Sequence, residues 1–137
     1  MQIQVIDKSN YLKGLLITAR KDKKLADSEK KIIKGISEKL GFASDFYEEV
    51  VRGLLANKYI DEEPIKFSNV KIAESFLIDG LRLAYSDSPV VSGEIDWLRK
   101  TAIKNGLSEK WFEEKLQTLK TNAGNFLITD FALLSII

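Results

Sequence analysis

Apolar residues along this chain recur at three- and four-residue spacings, separated by short polar or charged runs. This is the pattern of amphipathic helices rather than strands. Leu12, Leu15, Leu16 and Ala19 form a first stripe, with Ser9 or Asn10 as its expected N-cap. The lead-in Met1–Ile6 alternates Gln with Ile and Val, so a short strand or an extended arm is expected there. Asp27 is placed to cap a second helix, with Glu29 in its first turn and Ile33, Ile36 and Leu40 facing inward. Gly41 then occupies the position of a left-handed C-terminal cap. Ser44 opens a third helix with Phe46, Tyr47, Val50, Val51, Leu54 and Leu55 inward, and Pro64 closes this half after a polar stretch.

The same order then recurs. Ser68 is the expected cap of a longer helix carrying Ala73, Leu77, Gly80, Leu81 and Ala84. Gly80 on that face predicts close approach of a neighbouring helix, because Gly costs about 1 kcal/mol of helix propensity relative to Ala. Ser92 caps the next helix, with Ile95, Leu98 and Ala102 inward and Gly106 after its end. Trp97 falls at the edge of that stripe, where partial exposure is expected. Ser108 caps a further helix bearing Trp111, Phe112, Leu116 and Leu119. Asn122–Asn125 is expected as a turn. The tail from Thr129 can begin a short seventh helix or, from Phe126, run extended.

The two series are in register. Leu12 and Leu77, Gly41 and Gly106, and Glu48-Glu49 and Glu113-Glu114 all stand 65 residues apart, and Phe46-Tyr47 become Trp111-Phe112. An offset held without insertion is the mark of an internal repeat. The expected fold is therefore all-α, a single domain over residues 1–137. It would be a bundle of six to seven helices built from two similar three-helix halves, with the repeat spanning approximately 9–58 and 68–123.

Composition narrows the chemistry. The 137 residues include no Cys and no His, which removes thiolate chemistry, disulfides and imidazole as ligand or general base. A net charge of +1 gives no overall attraction to nucleic acid. The basic run Arg20–Lys24, with Lys30, Lys31 and Lys34 after it, has acids mixed in and no aromatics interleaved, so it reads as a solvated face. Met1–Asp7 lacks a basic leader pattern, and the apolar tail 126–137 carries Asp130 and falls short of the roughly 20 residues of a membrane span. A cytoplasmic protein with no membrane span is expected.

One constellation remains. Asp22 is followed seven residues later by Glu29, and Asp87 by Glu94, each pair bracketing the linker between two helices. Read as chemistry, the four carboxylates could be pooled for a hard divalent cation, calcium or magnesium. Read as architecture, each Asp ends a helix and each Glu complements the start of the next. The same carboxylates leave open a metal-dependent hydrolase. The tail residues Phe131, Leu133, Leu134, Ile136 and Ile137 either dock on the chain's own core or join two copies in a homodimer.

Ala84-Tyr85-Ser86-Asp87 through Glu94, with Trp97-Leu98-Arg99-Lys100 and Asn105-Gly106-Leu107, resembles the TerB-like tellurite-resistance domains. Ala19–Glu29 and Leu40-Gly41-Phe42 resemble the partner repeat of that family. The family's Gly after the Asp is Lys23 in one copy and Ser88 in the other. The resemblance implies an all-α bundle with internal pseudo-symmetry and a non-catalytic role in tellurite or chemical stress, exercised through an unknown protein partner. It also implies metal binding by the linker acids Asp22, Glu29, Asp87 and Glu94.

Overall fold

A computed structural model of the chain describes residues 2–20, 27–56, 62–86, 92–121 and 131–137, the side chains of 54–56 excepted. Among these residues the chain forms six α-helices and a 3-10 turn, and no strand. The helices are α1 (Val5–Arg20), α2 (Asp27–Lys39), α3 (Ser44–Ala56), α4 (Val70–Tyr85), α5 (Ser92–Lys104) and α6 (Glu109–Thr121), and the turn is Ala132–Ser135. The boundaries of α4, α5 and α6 each lie 65 residues after those of α1, α2 and α3. Both middle helices end alike. Gly41 and Gly106 adopt φ of +94° and +82°, which a Cβ would oppose. Past them, Phe42 N–H donates to Ser37 O at 3.1 Å and Leu107 N–H to Ala102 O at 3.0 Å, the long bond of a Schellman cap in each case.

α1 and α4 pack against each other at the centre, and every other element packs on this pair. The expected stripes of α1, α2 and α4 are buried. Close approach is bought by glycine at two places. A Cβ on Gly14 would stand 2.5 Å from Cζ of Phe76, and one on Gly80 would stand 2.7 Å from Cδ2 of Leu98, the α5 neighbour that the sequence called for. Phe76 is the hub of an aromatic cluster, edge-on to Tyr11 and Trp97 and tilted against Phe67. Arg99 ties α5 to α6, pairing with Glu109 at 2.7 Å and Glu113 at 2.6 Å while lying over the Phe112 ring.

Five expectations are corrected. The N-terminal arm is not a strand, and α1 begins at Val5, ahead of Ser9 and Asn10. Asp7 in its first turn is held by Ser68, and Ile3 packs in the core just before it, so tertiary contacts set this start. The cap of α4 is Asn69, whose side chain accepts from Lys71 N–H, because Ser68 is already committed to Asp7. Trp97 is buried, since its indole N–H reaches the backbone of Glu62. Phe46 lies on the outside of α3, stacked on Phe42, leaving Tyr47 as the inward aromatic. Thr129 lies outside the described residues, and the described part of the tail forms a 3-10 turn, Ala132–Ser135, rather than an α-helix. The expected turn at 122–125 lies outside the described residues.

Candidate functional site

Two sets stand out among the buried polar groups: those that hold non-helical segments in place, and the linker acids. Asp79 leads the first set. It sits on α4 among apolar neighbours and is almost fully buried. Its Oδ2 accepts from the Tyr11 hydroxyl at 2.5 Å and from Leu133 N–H at 3.1 Å, and its Oδ1 accepts from Ala132 N–H at 2.7 Å. One carboxylate thus caps the 3-10 turn, where free amide N–H groups need an acceptor. Tyr11 also hydrogen-bonds Ser75 at 2.8 Å, closing a small network across the α1–α4 contact. Burial pushes the Asp79 carboxyl up from 3.8 to about 6, against the opposing pull of its three donors and of Arg82 at 3.8 Å. Burial, with the Asp79 charge beside it, also raises the Tyr11 phenol well above its ordinary value. Phe131 and Leu133, the first and third residues of this stretch, are buried in the chain's own core, and Ile137 is exposed.

The extended segment 62–67, which leads into α4, is gripped twice from α5. Asn105 donates from Nδ2 to Ile65 O at 2.7 Å and accepts from Phe67 N–H at 2.8 Å through Oδ1. Trp97 donates from Nε1 to Glu62 O at 2.7 Å. Where the segment meets α4, the Ser68 N–H donates to Asp7 Oδ1 at 3.0 Å and the Ser68 hydroxyl to Asp7 Oδ2. These carboxylate and amide roles were missed in the sequence. The available signal was a polar side chain on an apolar helical stripe: Asp79 lies three residues after Phe76 and four before Leu83, on one face of α4.

Of the linker acids, Asp22 and Asp87 lie outside the described residues. Glu29 and Glu94 are both buried in the first turn of their helices, α2 and α5, at equivalent positions. Each is engaged in an interaction, so neither is a spare charge. Among the described residues no group of three or more acids is gathered as for a metal ion. No helix among them is long and apolar enough to cross a membrane. Comparison of the chain with known protein families, with curated proteins and with solved structures returned no match.

Proposed function

We propose that this protein is a TerB-like, non-catalytic helical module that acts through a protein partner in a stress or tellurite-resistance-type setting. Its two interhelical corners would take a divalent cation through Asp22, Glu29, Asp87 and Glu94. The observation that carries this reading is the burial of Glu29 and Glu94 at the same place in two helices 65 residues apart. Each acid stands in the first turn of its helix, seven residues after the Asp that the sequence pairs with it. The recurrence of a buried acid at both corners supports a role shared by the two. The 65-residue offset of all three pairs of helix boundaries supports a duplicated three-helix unit, as the resemblance implies.

The cation is tested by titration calorimetry with calcium and with magnesium. Binding heat is expected for the wild type and none for the Asp87→Asn, Glu94→Gln double variant. A wild type without heat for either ion rejects the metal reading. The partner is tested by affinity capture from a native extract with and without chelator. A specific protein lost on chelation supports the combined reading, and capture of nothing beyond background rejects the interaction role.

A further inference from the structure

Charged and apolar side chains are distributed unevenly at one end of the bundle. The Asp7–Ser68 bonds set the first turn of α1 beside the first turn of α4. The Asn105 bonds set the last turn of α5 against residues 65–67, just ahead of α4. Four aliphatic side chains protrude from these three turns: Val5 at 74% exposure, Ile6 at 62%, Val70 at 48% and Ile103 at 48%. They make up four of the six exposed large hydrophobics among the described residues. Their exposure is not forced by the fold, since a polar residue would cost nothing at such positions.

Lysines lie on the same segments. Lys66, Lys71 and Lys104 are exposed, and Lys66 Nζ reaches Lys104 O at 3.4 Å, covering the negative end of α5 with a cation. The acid of the α1 turn, Asp7, is buried and has both oxygens spent on Ser68. Glu74, one turn further along α4, is half-buried. The N-termini of α1 and α4 add the positive ends of two helix dipoles. In a chain of net charge +1, this positive end is a local feature rather than a share of a general excess.

We infer that this end, formed by the first turns of α1 and α4 and the last turn of α5, docks peripherally on an anionic phospholipid surface. The residue types decide between lipid and protein. Protein interfaces are enriched in aromatics and Arg and depleted in Lys, whereas this end offers aliphatics and Lys with neither Arg nor exposed aromatic. Aliphatic tips that enter the acyl boundary, ringed by lysines that stay among the phosphates, match the two-part physics of interfacial binding. The inference uses none of the linker acids, so it stands or falls separately from the metal reading.

The test is co-sedimentation of the full chain with phosphatidylcholine vesicles, with and without about 30% phosphatidylserine, at about 0.1 M salt. Binding is expected on the anionic vesicles only, weakening as salt is raised. Lys66→Gln and Lys71→Gln should each weaken it about fivefold. Val5→Ser with Ile6→Ser should weaken it by about tenfold or more, with an unchanged helical circular dichroism spectrum. Failure to bind anionic vesicles, equal binding to neutral ones, or indifference to both sets of variants overturns the inference. Binding to soluble polyglutamate but not to vesicles also overturns it, assigning the face to an acidic protein instead.

Discussion

Gly14 and Asp79, Ile32 and Trp97, and Leu40 and Asn105 each stand 65 residues apart, at matching points of α1–α3 and α4–α6. In the first half these positions are small or apolar. In the second half they are polar or carry a polar atom, and each of the three hydrogen-bonds a segment that the helices do not repeat. Asp79 holds the tail, while Trp97 and Asn105 hold residues 62–67. The α1–α4 contact shows the same thing at closest range. Tyr11 and Phe76 are themselves 65 apart and meet edge-on at 5.5 Å. Tyr11 reaches Asp79 with its hydroxyl, while Phe76 lays its bare ring on Gly14. At these positions the polar groups of the second series serve the connections rather than the packing of helix on helix.

The most severe way to break that comparison is to make the halves alike at the central contact. Gly14→Asp would drive a Cβ into the Phe76 ring and bury a charge with no donor. It should cost about 4 kcal/mol or more, read as loss of the urea unfolding transition or a large fall in its midpoint. Asp79 itself gives a pH signature. Its folded value of about 6 lies above the 3.8 of the free side chain, so the folded chain holds the proton more tightly. Its contribution to stability is fully present below about pH 4 and is lost as pH rises toward 6, by roughly 3 kcal/mol. Urea unfolding between pH 4 and 7 should show this slope in the wild type, and Asp79→Asn should remove it. A wild type no steeper than the variant refutes the buried-carboxylate account.

Asn105→Leu, which restores the first-half residue type, leaves Phe67 N–H and Ile65 O without partners. It should cost about 2 kcal/mol and speed hydrogen exchange at the Phe67 amide. Trp97→Phe keeps most of the packing and removes only the bond to Glu62 O, a loss of about 1 kcal/mol by urea titration. The smallest test concerns a point on which the halves agree. Gly41→Ala and Gly106→Ala both put a side chain at positive φ with open space around it, so each should lose about 1 kcal/mol and the two losses should match.

Legibility in the sequence followed the same division. Helix-period stripes and the glycines at 41 and 106 sufficed for α2, α5 and their ends, because those features depend on nearby residues. Gly80 was readable as a close approach for the same reason, since glycine on an apolar stripe has few other uses. The start of α1 was not readable. Val5 and Ile6 face outward, and the turn is fixed by Asp7 finding Ser68 in a distant part of the chain. Trp97 looked peripheral on its own helix because its partner, the Glu62 carbonyl, is contributed by another segment. The linker acids were legible as a repeated spacing, and Glu29 and Glu94 do occupy matching buried places. Nothing in the spacing, however, distinguishes acids that bind from acids that brace.

Asn105 carries a liability that its role as a clasp conceals. An asparagine followed by glycine is prone to cyclise: the next backbone nitrogen attacks the carboxamide, ammonia leaves, and hydrolysis of the ring yields aspartate or isoaspartate. In the native chain the carboxamide is tied to Ile65, Phe67 and Thr101, and the Gly106 N–H is engaged by Ile103 O. Unfolding frees both reactants together. A molecule that opened long enough to deamidate would return with a carboxylate where it needs a donor to Ile65. Chemical ageing and loss of structure would then reinforce one another, starting from a single dipeptide.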